Sequence, residues 1–379
     1  MALDEFQLPF CTDQRRALRL LAPAGSGKTH SLLWRCLHQW EQPAKTKPRF
    51  LLFTFTKAAR DELRDRLRSD PNLRPISGVV EVSTLNAWGF RRLKSKSHNL
   101  RLLSSSQDIF FAVNNILQPV WSKHKRIEKL LKETKARNRA AKVIMDVMDG
   151  LKSLGFRHDQ HHKVNEFVQH LAWLKQAGLG SYYNGLIQKL ADIEIIDPKS
   201  PNITLDLEKH FLKFWHEAST LMRQMAVITL EDQKYWTWLE LEESLAEGKF
   251  TTGMHRFDHV LVDEFQDVNC LDLRLLQSIA AVNKAELTVV GDDDQAIYEW
   301  RGASPEFILK PDDYVGSGFA THILSRNYRS PRNIVLLSQQ LIRHNKRRVD
   351  KEIIPHSKVD AKVEVMSRFF VNVRKVALS

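Results

Sequence analysis

The segment Leu20-Leu-Ala-Pro-Ala-Gly25-Ser-Gly27-Lys28-Thr29 decides the fold, because it joins an apolar run to a predicted helix at residues 31–40. Apart from alanine at the first position, residues 22–29 fit the phosphate-binding pattern G-x-x-x-x-G-K-[ST]. In such a loop the glycines let backbone N–H groups face phosphate oxygens, the lysine adds positive charge and the last hydroxyl reaches Mg²⁺. A glycine-rich turn beside a chance lysine is the alternative. The predicted nucleotide-binding residues are Ala22, Pro23, Ala24, Gly25, Ser26, Gly27, Lys28 and Thr29.

Short apolar runs that alternate with helical stretches indicate strands. They lie at residues 20–22, 50–55, 79–83, 260–262 and 287–290. This alternation predicts an α/β fold with a parallel, doubly wound sheet, whose ligands lie beyond the carboxyl ends of the strands. Each motif that suggests chemistry falls at such an end.

The residues between about 95 and 251 follow a helical period instead. Apolar side chains recur at helical spacing in two stripes, over residues 143–154 and 211–225. These stripes predict an all-helical insertion in the sheet domain. Pro198 and Pro201 predict a break between two groups of its helices.

Two adjacent acids follow the run at residues 260–262, in His259-Val-Leu-Val-Asp263-Glu264-Phe-Gln266-Asp267. We expect Asp263 to hold Mg²⁺ and Glu264 to orient and deprotonate the water that attacks a γ-phosphate. Gln266 is positioned to sense that phosphate. A solvated acidic turn is the alternative.

A second polar loop follows the run at residues 287–290 and reads Gly291-Asp-Asp-Asp294-Gln295-Ala-Ile-Tyr298-Glu-Trp300-Arg301-Gly302. Gln295 is predicted to contact the nucleotide. Tyr298 and Trp300 offer flat faces on which nucleic-acid bases can stack. Aromatic residues that belong to the core are the alternative.

The composition is that of a globular protein with an excess of positive charge. Of the 379 residues, 43% are hydrophobic and 27% charged, which excludes a disordered or fibrous chain. The formal net charge of +12 favours polyanionic partners. A cytoplasmic location is predicted, because the chain shows neither a run of ~18 apolar residues nor a signal-peptide pattern.

No metal other than Mg²⁺ is predicted. Cys11, Cys36 and Cys270 stand singly, without the paired spacing of zinc sites or disulfide frameworks, and are interpreted as ordinary thiols. The histidine-rich segment 158–162 is interpreted as a solvated loop.

Six ordered blocks resemble those of the UvrD/Rep/PcrA-like helicases of superfamily 1. They are APAGSGKT from Ala22, TFTKAARDELRDRL from Thr54, STLNAWGF from Ser83, DEFQD from Asp263, VVGDDDQAIYEWRGA from Val289 and NYRSPRNI from Asn327. The resemblance implies a RecA-like P-loop NTPase sheet with a helical insertion between the third and fourth blocks. It also implies ATP and Mg²⁺ as cofactors and single-stranded DNA as partner.

The resemblance implies roles for individual nucleotide-site residues. Lys28 and Thr29 resemble the phosphate and Mg²⁺ contacts, and Asp263 and Glu264 the metal carboxylate and the general base. The remaining resemblances are Gln295 to the γ-phosphate sensor, Tyr328 to the adenine-stacking position and Arg329 to an arginine that reaches the γ-phosphate.

Residues similar to the DNA-contacting positions of the family are Phe55, Thr84, Tyr298, Trp300 and Arg301. Leu85 and Asn86 depart from the pattern, since phenylalanine and histidine are common there. Gln14, a candidate for the adenine-reading glutamine, lies closer to Lys28 than the family pattern places that residue.

The predicted domains are residues 1–95 and 251–322 for the two parts of the motor domain and 96–250 for the insertion. Residues 323–379 are predicted to begin a second motor domain that is incomplete, because nothing after Asp350 matches its further motifs. The tail over residues 363–379 is predicted to form one strand.

Three functions follow from these residues. The first is an ATP-dependent DNA helicase or translocase. The second is a nucleotide-regulated DNA-binding or partner-binding module that does not unwind, in which another chain supplies the missing part of the motor. The third, a small-molecule kinase or other P-loop enzyme, does not account for the aromatic loop or the +12 charge.

Overall fold

The computed structural model describes residues 3–133, 137–160, 162–197, 199–200, 202–248 and 257–363. Pro198, Pro201, His161 and the predicted tail strand beyond Val363 lie outside these residues. In chain order the strands are β1 Ala17–Leu21, β2 Phe50–Phe53, β3 Val80–Ser83, β4 Arg101–Leu102, β5 Val227–Ile228, β6 His259–Val262, β7 Glu286–Gly291, β8 Ala320–Ile323, β9 Arg326–Asn327 and β10 Ile354–Pro355.

The α-helices of the described residues fall into two groups. Those that pack on the sheet or follow it are α1 Gln7–Thr12, α2 Lys28–Glu41, α3 Lys57–Ser69, α4 Leu85–Lys96, α14 Cys270–Asn283, α15 Glu306–Leu309, α16 Pro311–Tyr314 and α17 Arg332–Ile342. Those of the insertion are α5 Ser106–Phe111, α6 Gln118–Trp121, α7 Lys125–Lys132, α8 Arg137–Ser153, α9 Val164–Gln176, α10 Gly180–Asp192, α11 Ile203–Leu207, α12 Lys213–Gln224 and α13 Asp232–Ala246.

Six strands form one parallel sheet in the order β3-β2-β6-β7-β1-β8. Successive strand residues point to opposite faces, so each strand contributes to two cores. Leu51 and Phe53 face the core beneath α14 and the insertion, whereas Phe50 and Leu52 face the core beneath α1, α2 and α3. The predicted α/β fold with a parallel central sheet is confirmed.

The insertion is mostly helical and shares its core with one face of the sheet. The prediction that it is all-helical is wrong in one detail, because β4 and β5 pair in parallel. Arg101 N donates to Ala226 O and Leu103 N to Ile228 O, both at 2.8 Å. Strands of two residues are too short to leave a period in the sequence, so the pair was not predicted.

The sixth strand of the sheet, β8, was also not predicted. It pairs with β1 alone among the strands of this sheet, and only Ala320 of its four residues is buried. Strand β8 ends at Ile323, one residue beyond residue 322, where the second part of the motor domain was predicted to end. None of the helices in the described ranges is both long and apolar enough to cross a membrane.

Candidate functional site

The carboxyl ends of the parallel strands collect the predicted site residues at one edge of the sheet. In spatial order, Thr84 follows β3, Phe55 lies just beyond β2, Glu264 follows β6, the loop of Gln295 follows β7, and the phosphate loop follows β1. The sheet therefore brings to one side residues that lie far apart in sequence.

The phosphate loop has the backbone that its glycines predict. Gly25 and Gly27 have φ of +74° and +89°, a region that side chains other than glycine rarely adopt. A Cβ on Gly25 would lie 2.6 Å from the Cβ of Arg329, and one on Gly27 would lie 2.7 Å from Nε2 of Gln7. Helix α2 begins at Lys28, so its N–H groups and dipole point at this turn.

Lys28 and Glu264 form an ion pair, with Nζ 2.6 Å from Oε2. Gln266 Nε2 donates to the same carboxylate oxygen at 2.8 Å. Glu264 itself has φ of +54°, a left-handed conformation that is uncommon outside glycine and costs ~1–3 kcal/mol. Strain of this kind clusters at functional sites, and here it turns the carboxylate toward the phosphate loop.

Two further acids, Asp263 and Asp267 of the loop after β6, lie in low-dielectric surroundings. Burial and, after it, the neighbouring Glu264 carboxylate raise the pKa of Asp263 to about 6. The same two causes, in the same order, raise the pKa of Asp267 to about 6, against the opposing effects of Lys28 and Arg301. Both shifts result first from burial and then from the nearby negative charge of Glu264.

Gln295 does not point at the phosphate loop in this structure. Its Nε2 donates to Oδ2 of Asp292 at 2.5 Å. The backbone N–H of Asp292 in turn donates to Oε1 of Gln266 at 3.0 Å. Gln295 is therefore joined to Glu264 through Asp292 and Gln266.

The segment after β8 closes over the phosphate loop from the other side. Asn327 Nδ2 donates to Ala24 O at 2.7 Å, and Tyr328 N donates to Gly25 O at 2.8 Å. Asn327 Oδ1 accepts from the backbone N–H of Arg329 at 3.0 Å. This arrangement places Tyr328 and Arg329 beside the loop. Sequence reasoning missed Asn327, although its place in the block NYRSPRNI was a usable signal.

Gln7 is a second residue that the sequence reasoning missed. It is buried, and its Nε2 donates to Ser26 O in the phosphate loop at 3.4 Å. Asp4, one turn earlier, accepts from the hydroxyl of Tyr328. By contrast, the candidate Gln14 is exposed and donates to Thr12 O at 3.0 Å. A search farther upstream of Lys28 would have found Gln7.

Tyr298, Trp300 and Arg301 form an exposed group. The two rings lie 6.3 Å apart between centroids, and the guanidinium carbon of Arg301 lies 5.7 and 5.8 Å from their centres. Trp300 is 70% exposed. The alternative that these aromatics belong to the core is excluded.

Phe55 and Thr84 are less accessible. Phe55 is half-buried against the core, and the hydroxyl of Thr84 accepts from Ala87 N at 3.2 Å as the cap of α4. Asn86 donates to Leu230 O at 3.0 Å. DNA contacts by Phe55 and Thr84 stay predictions.

The histidine-rich segment is partly structural, so its interpretation as a solvated loop was wrong for His158. This residue is buried, its backbone N–H donates to the hydroxyl of Tyr235 at 2.8 Å, and its ring Nδ1 lies 2.9 Å from the same hydroxyl. The rings of Trp215, Tyr235 and Trp236, on α12 and α13, pack around this imidazole. The three cysteines are also buried thiols.

The side chains around the phosphate loop fit ATP with a divalent cation. Gly25 and Gly27 give the turn the positive φ that a phosphate-binding loop needs, and Lys28 follows it at the start of α2. A divalent cation at Asp263 would offset the repulsion between that carboxylate and Glu264. Thr29 and Asp263 are the residues that would hold it.

The fold and the phosphate loop together define a RecA-like P-loop protein. More specifically, the chain belongs to the UvrD/REP helicase N-terminal domain family, which matches residues 3–315. The family resemblance inferred from the ordered blocks is therefore confirmed.

Individual relatives carry helicase names. The chain is 27% identical to a probable DNA helicase II homolog of Mycoplasma capricolum subsp. capricolum, over 95% of this chain and 44% of the relative. It is 27% identical to the putative ATP-dependent DNA helicase YjcD of Bacillus subtilis, over 93% and 40%. It is 25% identical to the ATP-dependent DNA helicase PcrA of Staphylococcus epidermidis, over 88% and 39%. The chain thus spans less than half the length of these curated relatives.

Proposed function

We propose that this chain binds and hydrolyses ATP as the nucleotide-binding part of a DNA helicase or translocase, and that it grips single-stranded DNA. The observation that carries the proposal is the ion pair between Lys28 and Glu264, 2.6 Å apart across the sheet edge that also holds the exposed aromatic loop. A P-loop lysine and a carboxylate that can serve as base thus lie side by side, which supports a γ-phosphate site between them. Relatives named as ATP-dependent DNA helicases support it.

Binding begins at the phosphate loop. The N–H groups of residues 25–29 and the α2 dipole favour the phosphates, and Lys28 exchanges Glu264 for a phosphate oxygen. Tyr328, beside Gly25, offers its ring to the adenine, and Gln7 lies at the same end of the loop. Mg²⁺ held by Thr29 and Asp263 would neutralise part of the negative charge of the phosphates.

Hydrolysis depends on the freed Glu264. Once Lys28 turns to the phosphate, the Glu264 carboxylate can accept the proton of the attacking water. Gln266 holds the carboxylate at 2.8 Å and so fixes its direction. Arg329 and Gln295 are the side chains we assign to the γ-phosphate, after Gln295 leaves Asp292.

The exposed loop is the DNA-binding part of the proposal. Tyr298 and Trp300 stack on bases, and Arg301 adds a cation beside both rings. Phe55 and Thr84 extend this track along the ends of β2 and β3. Arg301 links these DNA-binding residues to the nucleotide site, since its positive charge acts on Asp267, which lies near the proposed catalytic base Glu264.

The proposal is tested by ATP binding and ATP turnover, with and without an oligonucleotide. Lys28→Ala should weaken binding and abolish turnover, whereas Glu264→Gln should keep binding and lower turnover ~10²- to 10⁴-fold, the range of a general base. Lys189→Ala and Glu243→Gln are matched controls at exposed positions. Turnover that survives both site substitutions would overturn the proposal.

A second candidate is a nucleotide-regulated module that binds a partner without unwinding DNA. It is favoured by the apolar face of α17, where Leu337 and Leu341 are 48% and 74% exposed. This module would bind ATP and DNA with negligible turnover until a partner chain covers that face. ATP binding without hydrolysis by the wild-type chain would favour it over the first candidate.

A further inference from the structure

Lys351, a residue that no sequence motif singled out, lies at the centre of three carboxylates of the loop after β7. Its Nζ is 2.5 Å from Oδ1 of Asp293, 2.8 Å from Oδ2 of Asp294 and 3.3 Å from Oδ1 of Asp292. The Lys351 side chain is fully buried, and no side chain of the carboxylate cluster, Asp292 to Asp294, is more than 8% exposed. An ammonium group in such surroundings is held by charge and hydrogen bonds together.

Neighbouring residues attach the same segment to the carboxylate cluster. Arg348 donates from Nε and Nη2 to the two oxygens of Asp294 at 2.9 and 3.1 Å. The backbone N–H of Val349 donates to Oδ2 of Asp293 at 2.8 Å. The 348–351 segment, which follows α17, is therefore tied to the loop after β7 through side chains and backbone.

The carboxylate cluster has the composition of a metal site, since its three acids place oxygens within 4.8 Å of one another. The ammonium of Lys351 already lies among these oxygens. With Arg348 it supplies two positive charges to three negative ones. The protein itself thus provides the cation that the acids require.

Hydrogen bonds continue from this cluster to the proposed catalytic base. The backbone N–H of Asp292 donates to Gln266 Oε1 at 3.0 Å, and Gln266 Nε2 donates to Glu264 Oε2 at 2.8 Å. Asp292 also holds Gln295. A Cβ on the preceding Gly291 would lie 2.3 Å from Gln266 Oε1, so the amide packs directly on this backbone.

We propose that Lys351 is a positioning residue, which holds Asp292 in place and, through Gln266, fixes the direction of the Glu264 carboxylate. This inference rests on the proposed function. Without the Lys351 ammonium, the three buried carboxylates keep Arg348 as their cation. The repulsion between these carboxylates then displaces Asp292. The direction of the Glu264 carboxylate therefore depends on whether the 348–351 segment contacts the carboxylate cluster.

The kinetic test compares Lys351→Met with Arg347→Met. The control removes the same charge four positions earlier, at a residue that pairs with Glu306 and Glu299 rather than with the carboxylate cluster. For Lys351→Met we expect kcat to fall about 100-fold, the cost of a small misplacement of a catalytic group. The KM for ATP should change little, because the phosphate loop is untouched.

A charge-balanced variant separates positioning from a loss of folding. Asp293→Asn removes one of the three acids but keeps an oxygen that can accept from Val349. In the Lys351→Met background it should restore part of kcat, because it relieves the repulsion on Asp292. Absence of any recovery in a double variant that folds and binds ATP would overturn the proposal.

Hydrogen exchange tests the inference without turnover. In Lys351→Met, amides of residues 291–296 and also of residues 263–268 should exchange faster than in Arg347→Met. Faster exchange confined to residues 348–351 would overturn the proposal, since the base would then be independent of Lys351. A wild-type chain that never hydrolyses ATP would refute the proposed function, and hydrogen exchange alone would then decide this inference.

Discussion

At the scale of single residues, Gly291 shows how little room the nucleotide site leaves. A Cβ there would lie 2.3 Å from Oε1 of Gln266 and 2.6 Å from Cδ1 of Ile308. We expect Gly291→Ala to lower the free energy of unfolding by ~1–3 kcal/mol, the usual cost of overpacking. Urea unfolding measures this.

Gly185→Ala is the matched control for this substitution. A Cβ on Gly185 meets nothing within 4 Å, and the residue lies inside α10. Alanine is the better helix former by ~1 kcal/mol, so this variant should be as stable as the wild type or more so. Equal stability of the two alanine variants would contradict the close packing of Gln266 on Gly291.

His158 should make stability depend on pH. Burial lowers the pKa of its imidazole from 6.5 to about 4. The unfolded chain therefore binds a proton at a pH where the folded chain does not, so stability is full above pH ~6.5 and is lost toward pH 4. Between pH 7 and pH 5 the wild type should lose ~2 kcal/mol more than His158→Asn.

The exposed His98 provides the control for this pH profile. His98→Asn should leave the difference between pH 7 and pH 5 as it is in the wild type. If His158→Asn instead lost stability as steeply as the wild type, another group would be responsible for the titration.

The sequence identified residue types better than residue partners. The spacing of Lys28, Asp263 and Glu264 was enough to predict a nucleotide site, because P-loop chemistry requires those groups after buried strands. It could not show that Gln295 turns to Asp292, or that Lys351 fills the carboxylate cluster. The first contact depends on the side-chain conformation within one loop, and the second joins residues 58 positions apart, so no local pattern encodes either of them.

At the scale of elements, a buried ion pair joins the insertion to the sheet domain. Lys234 of α13 lies 2.8 Å from Asp272 of α14, and neither side chain is more than 6% exposed. Lys234→Met leaves the Asp272 carboxylate buried without this partner, so we expect a loss of ~3–5 kcal/mol in unfolding free energy. Thermal or urea unfolding measures the loss.

The double variant Lys234→Met with Asp272→Leu is the control for this pair. Removing both charges leaves apolar groups in place of this ion pair, which is often neutral or stabilising. Glu231, which also lies 2.9 Å from Lys234 Nζ, loses its partner in both variants, so its effect cancels from the comparison. A double variant no more stable than Lys234→Met would show that lost packing, rather than an unpaired charge, causes the effect.

Element by element, the sequence identified the strands that form apolar runs and missed those that are very short or mostly polar. β2 and β6 are fully buried and appear as continuous apolar runs, as expected for central parallel strands. β8 lies at the edge of the sheet and carries polar residues, and β4 and β5 have two residues each. These strands exist because of their tertiary neighbours, which a single sequence does not reveal.

At the scale of the whole molecule, the distribution of charge follows two opposite requirements. The nucleotide site and its supports are rich in buried acids, which the structure pairs with Lys28, Lys351 and Arg348. The net charge is nevertheless +12, so cations exceed acids over the rest of the chain. The buried acids of this region are thus compensated by fixed cations of the protein, whereas the excess of positive charge lies elsewhere in the chain.

If single-stranded DNA is that polyanion, binding must weaken with salt and depend on the exposed aromatic loop. For a fluorescent oligo(dT), log affinity should fall by ~0.7 per phosphate neutralised for each tenfold rise in salt. Trp300→Ala should lose ~1–3 kcal/mol of binding free energy at every salt concentration, because stacking carries no counterion term. Arg301→Gln should instead reduce the slope itself, by about one phosphate contact.

Phe110→Ala, at an exposed aromatic residue of the insertion, is the control. Binding that is indifferent to salt, or equal in Trp300→Ala and the wild type, would remove DNA from the proposed function and leave the nucleotide site to be explained by another substrate.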